Sequence, residues 1–172
     1  MRIARAPRLA LAIAAAFVAS GQTAQEPAES PFRRDLRRSL RAVIRAAPLQ
    51  FKSIQGVRID IHPGRETWYD ARYPLPDATD CRVYEQPPQY ICRWEKSTRR
   101  PNLGAFFTAL AADVEAALGE RWKRAGTADK DAAIRFEEAR EGGATIVLAP
   151  ARRASNGAVQ LTVTGGVRPR PR

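Results

Sequence analysis

A pair of cysteines placed symmetrically about a turn restricts this chain more than any other feature. Cys81 opens the strand-like run Cys81-Arg82-Val83-Tyr84, Cys92 sits within Tyr90-Ile91-Cys92-Arg93-Trp94, and Glu85-Gln86-Pro87-Pro88-Gln89 lies between them. Folding the two runs about the middle of that turn pairs position 81 with 92 and 83 with 90, so the thiols face each other across an antiparallel hairpin. Side chains alternate along a strand, and the same register therefore gathers Cys81, Val83, Tyr90, Cys92 and Trp94 on one side and Arg82, Arg93 and Glu95 on the other. The spacing is not Cys-x-x-Cys, and no further Cys or His cluster completes a zinc site. The pair predicts a structural disulfide.

Other segments supply partners for that hairpin. Ser30 offers a helix cap and Pro31 suits the first helical position, while Phe32, Leu36, Leu40, Val43, Ile44 and Ala47 form one apolar stripe ending near Pro48. A second stripe, Leu103, Phe106, Phe107, Leu110, Val114, Leu118 and Trp122, predicts a long helix from about Asn102 to Lys123. Strand-like alternation begins after Gly56 through Val57, Ile59 and Ile61, and a further run covers Trp68 to Tyr73. Three more runs, Ala133 to Glu137, Thr145 to Leu148 and Val159 to Val163, are separated by turn signals and predict a terminal meander. The expected fold is α+β: two amphipathic helices packed on one face of a mostly antiparallel sheet of five to six strands. The order is helix, strands, helix, strands, with one cross-strand disulfide. The two halves share this pattern, but their residues do not match well enough to indicate duplication.

The expected organisation is a cleavable secretory signal peptide at 1–24, a disordered lead-in at 25–29, a single α+β domain at 30–165 and a basic disordered tail at 166–172. Arg2, Arg5 and Arg8 precede an apolar run from Leu9 to Val18, too short for the roughly 20 residues a spanning helix needs, and small residues follow it. The protein is accordingly expected in a periplasm or outside the cell, with no transmembrane span in its mature form. An even cysteine pair agrees with an oxidising compartment.

Charge narrows the partners. The 172 residues carry 29 Lys+Arg against 18 Asp+Glu, and without the three leader arginines 26 against 18 remain, a net of +8. Arg33, Arg34, Arg37, Arg38, Arg41 and Arg45 crowd one side of the first helix with only Asp35 to offset them. They read either as a solvated surface or as a contact for anionic matter. In an exported protein that matter is another envelope protein or an anionic envelope component, and nucleic acid is disfavoured. Trp68, Tyr69 and Tyr73, with the loop from Pro74 to Asp80, are a second candidate recognition surface, though the core side and edge of a strand accounts for them more simply.

Catalytic signals are sparse. His62 is the single histidine and shares a strand side with Asp60, which leaves a small hydrolase using Asp60 and His62 as an alternative. Neither Ser53 nor Ser97 lies in a Gly-x-Ser-x-Gly elbow, and Asp60, His62, Glu66 and Asp70 lack a standard metal spacing. Gly142-Gly143 and Gly165-Gly166 lack the context of a phosphate loop. No catalytic residue, metal ligand or cofactor is assigned. The leading expectation is a non-catalytic envelope protein that binds another protein or macromolecule, with an anionic polymer or membrane surface as the alternative target of the arginine face and tail.

Overall fold

The computed structural model describes residues 29–59, 67–128, 133–151 and 157–166. The expected signal peptide, most of the lead-in, Asp60, His62, Glu66, Arg152, Arg153 and the tail beyond Gly166 lie outside the described residues.

Helix α1 spans Pro31–Ala46 and α2 spans Leu103–Leu118. Each begins where a side chain satisfies an otherwise unpaired amide: Ser30 Oγ accepts from Arg33 N at 3.2 Å, and Asn102 Oδ1 accepts from Ala105 N at 3.0 Å. Eight strands follow the chain order: β1 (Gln55–Ile59), β2 (Trp68–Ala71), β3 (Asp80–Tyr84) and β4 (Gln89–Glu95) precede α2. After it come β5 (Trp122–Ala128), β6 (Ala133–Glu138), β7 (Thr145–Pro150) and β8 (Ala158–Thr164).

The strands form one antiparallel sheet in the order β1-β2-β3-β4-β8-β7-β6-β5, which is two four-stranded meanders joined through β4 and β8. Eight strands replace the expected five to six. One of the additional strands comes from the segment assigned by sequence to the end of the second helix. Gly119 adopts a φ of 72°, a backbone conformation that side chains other than glycine rarely take, and α2 stops at Leu118. Trp122 matches the helical stripe by spacing, yet it pairs with Glu138 on the inner side of an edge strand and packs against the core from there.

The hairpin register agrees with the sequence reading: Cys81 opposes Cys92, Val83 opposes Tyr90, and the cysteines are bonded. Alternation then sorts the sheet into two faces. Val83, Tyr90, Cys92, Trp94, Phe136, Ile146, Leu148, Leu161 and Val163 are buried on the inner face, in one core cluster with Leu36, Leu40 and Val43 of α1 and Leu110 and Val114 of α2. The outer face carries Arg82, Ile91, Thr162, Val147 and Arg135 in one cross-strand row, all of them at least partly exposed. Val57, part of the expected first-strand alternation, is 72% exposed beside a register irregularity in β1.

The chain between β2 and β3 lies over the inner face as a strap. Leu75 is buried, and its amide points at Cys81 Sγ at 3.4 Å. Trp94 Nε1 donates to the Pro76 carbonyl at 3.1 Å, the Tyr90 hydroxyl donates to the Tyr73 carbonyl at 2.8 Å, and the Thr79 amide donates to the Arg93 carbonyl at 2.8 Å. The buried Tyr90 hydroxyl and Trp94 indole thereby find acceptors that apolar surroundings would deny them.

Two outcomes follow from this core. Replacing both cysteines by serine should lower unfolding free energy by about 2–3 kcal/mol, the loop-closure value for so short a ring, as read by urea denaturation. Burial pushes the Tyr90 phenol far above its ordinary value, with the Leu75 backbone opposing in part. The unfolded chain ionises this phenol near pH 10 while the fold keeps it neutral. Stability is therefore intact below pH 10 and falls above it, by about 1 kcal/mol per pH unit. Tyr90→Phe should remove that part of the alkaline slope while costing about 1–2 kcal/mol at neutral pH, because the Tyr73 carbonyl loses its donor.

Candidate functional site

Three of the α1 arginines are occupied. Arg33 sends Nε and Nη2 to Asp113 Oδ1 at 2.9 and 2.6 Å, joining α1 to α2. Arg37 meets Glu29 at 3.0 Å, and Arg38 stands 3.8 Å from Asp35 one turn earlier. Arg34, Arg41 and Arg45 are exposed and form no ion pair among the described residues. Their positive charge is uncompensated.

Two of them, Arg41 and Arg45, adjoin a groove of about 590 Å³ where both helices end. From α1 come Leu40, Arg41, Ile44 and Arg45; α2 and the turn into β5 add Ala117, Leu118, Gly119, Glu120, Arg121 and Trp122; Glu138 closes one side. Glu138 is already committed, accepting from Arg140 Nε at 2.9 Å and from the Ala144 amide at 3.4 Å. Arg121 also lacks an ion pair among the described residues. Its cluster with Lys123 and Arg124 is visible in the sequence, but placing it on a helix hid its approach to α1.

A second groove, about 640 Å³, lies between Phe32, Phe106, the segment around Asp77 to Thr79, and Arg99 and Arg100. Its polar groups are largely used internally. Arg100 donates to the Glu95 and Asp77 carbonyls at 3.1 and 2.9 Å and stands over the Phe106 ring at 5.5 Å, while Asp113 is held by Arg33.

Trp68, Tyr69 and Tyr73 do not share a surface. Trp68 is on the outer face, 4.1 Å from the Tyr84 ring and beneath the Arg82 guanidinium at 5.2 Å. Tyr69 pairs with Val83 and packs against the core from the inner face. Tyr73 is 48% exposed at the start of the strap, where its carbonyl is bound by Tyr90. The Pro74 to Asp80 segment, one of the two sequence candidates for recognition, holds the core.

Compared with protein families, curated proteins and solved structures, the chain matches none. Its own geometry carries the functional argument. Of the carboxylates weighed with His62 in the sequence, Asp60 and Glu66 lie outside the described residues and Asp70 is exposed on β2. Among the described residues no group of three His, Cys, Asp or Glu side chains converges, and no helix is long and apolar enough to cross a membrane.

The Arg33 and Asp113 pair is partly exposed, so solvent screens it. Asp113→Asn should cost less than about 1 kcal/mol of stability by thermal denaturation, and salt should narrow the gap to the unaltered protein.

Proposed function

We propose that this is an exported, non-catalytic envelope protein that binds another macromolecule through the arginine side of α1. The observation that carries this reading is the uncompensated charge: Arg34, Arg41 and Arg45 are exposed, and no carboxylate among the described residues pairs with them. A row of guanidiniums on one rigid helix is pre-organised for carboxylates or phosphates, which they bind through forked hydrogen bonds. The basic leader followed by an apolar run supports export, and the Cys81–Cys92 disulfide is compatible with it.

The partner is an acidic surface on another envelope protein. A second reading, an anionic polymer or membrane surface, uses the same arginines and adds the basic tail at 166–172, whose residues Arg168, Arg170 and Arg172 alternate with proline.

Co-sedimentation of the naturally processed protein with envelopes of its own cell tests the proposal. Binding should fall on going from about 0.1 M to about 1 M salt, where the screening length shrinks from about 10 Å to about 3 Å. It should also fall by about tenfold in the Arg34→Glu, Arg38→Glu double variant, Arg38 being an exposed neighbour of Arg34 on the same side, only loosely held by Asp35. Loss of binding after protease treatment of the envelopes identifies a protein partner, and persistence identifies polymer or lipid. Undiminished binding in both the double variant and high salt would remove the arginine side from the function.

A further inference from the structure

We propose that the groove at the shared end of α1 and α2 binds a single-chain anionic amphiphile, a fatty carboxylate, with its chain over Ile44, Leu118 and Trp122 and its head among Arg41, Arg45 and Arg121. This goes beyond the macromolecular contact proposed above and does not rest on it. Leu40, Ile44, Ala117, Leu118 and Trp122 form an apolar lining, and the three arginines stand around it. Apolar and charged residues share the lining about equally, an amphipathic groove whose complement has both an apolar body and a charged head. The size agrees: about 590 Å³ falls within the usual range of roughly 300–1,000 Å³ for small-molecule sites. A stable protein interface takes about 20–30 residues a side, and the 11 residues of this lining fall short of that.

The sign of the charge selects the head. The lining contains three arginines and two glutamates, but Glu138 is neutralised by Arg140, which leaves Arg41, Arg45 and Arg121 against Glu120. Both helices also end here, and Arg45 lies in the last turn of α1. Each helix end presents about half a negative charge, so two ends offset about one guanidinium and a positive excess survives. A carboxylate can be accepted by the guanidiniums in forked geometry, while its hydrocarbon chain covers apolar surface that water now wets. The other groove differs in this respect, since Arg100 and Asp113 there are already bonded within the protein.

Calorimetric titration of the naturally processed protein with butanoate, octanoate, decanoate and dodecanoate, all below their micelle concentrations, tests the site. One-to-one binding that tightens by about two- to fourfold per added methylene is expected, the upper figure corresponding to full burial. Dodecyltrimethylammonium should bind at least about tenfold more weakly than dodecanoate. Dodecanoate should alter tryptophan fluorescence in the unaltered protein and leave it unchanged in Trp122→Phe. Arg45→Glu with Arg121→Glu should weaken dodecanoate by about tenfold or more at unchanged circular dichroism. Arg34→Glu with Arg38→Glu should leave it bound. Affinity independent of chain length would reduce the site to a simple anion contact and overturn the proposal. So would equal binding of the cationic amphiphile, or binding indifferent to Arg45 and Arg121. Preference for a glutamate-rich amphipathic peptide over dodecanoate would assign the groove to a protein. Arg41 and Arg45 belong to both surfaces, so the envelope contact is read with Arg34→Glu and Arg38→Glu, which leave the groove intact and keep the two failures distinguishable.

Discussion

The inner side of β4 organises this fold, because its three successive inward residues are each tied to the segment running from Tyr73 to Cys81. Tyr90 donates to the Tyr73 carbonyl, Cys92 is bonded to Cys81, and Trp94 donates to the Pro76 carbonyl. β4 is also the strand through which the first meander meets the second, pairing along its whole length with β8. A disturbance there reaches the strap, the hairpin and the junction of the two half-sheets together. Tyr90 and Trp94 suit such a position since each fills core volume while its polar atom finds a backbone acceptor, leaving no desolvated donor. With the strap over this part of the inner face, α1 and α2 complete the same core through Leu36, Leu40, Val43, Leu110 and Val114.

That arrangement determines which charges are spent on the fold. Arg33 is consumed in joining the helices, Arg100 in holding the Asp77 and Glu95 carbonyls, and Arg82 in meeting Asp80 and the Trp68 ring. Each of these sits where two elements meet. Arg34, Arg41 and Arg45 face outward from a helix whose other side already fills the core. Stability gives no reason for three unpaired guanidiniums along one helix, because solvated like charges repel weakly and add nothing to packing. Binding an anion does give such a reason.

The parts of this fold legible in the sequence are those fixed by local periodicity. Cys81 opposite Cys92 follows from a two-residue alternation and one turn, and the helix starts at Ser30 and Asn102 follow from short polar side chains preceding apolar stripes. Sequence says less where two periodicities agree by coincidence or where the deciding contact is distant. Trp122 continues the α2 stripe by spacing, and only the positive φ of Gly119 turns it into a strand. Trp68, Tyr69 and Tyr73 look like one aromatic patch along the chain, yet a strand sends Trp68 and Tyr69 to opposite faces. The Pro74 to Asp80 segment has a loop's composition, and its role as a strap depends on Tyr90 and Trp94 reaching across from β4.

The misread helix end is also where the groove forms, and both have one physical origin. A Cβ on Gly119 would meet nothing within 4 Å, so glycine stands there for its backbone freedom and not for lack of space. Ending α2 at that point brings Arg121 and Trp122 into the turn and the start of β5, opposite the last turn of α1. A helix running on to Lys123 would instead have set Leu118 and Trp122 in one stripe against the core, with Arg121 off that stripe. Meanwhile Gly165 lets the end of β8 pass close beneath the C-terminal end of α1, where a Cβ would come 2.6 Å from the Ala47 carbonyl. The end of α1 lies close to the sheet there, while Ile44 and Arg45 line the groove together with the α2 terminus. The charged rim is thus a product of the Gly119-dependent turn rather than of any local motif. Composition counts the arginines around it, but only the path of the backbone makes Arg41, Arg45 and Arg121 neighbours.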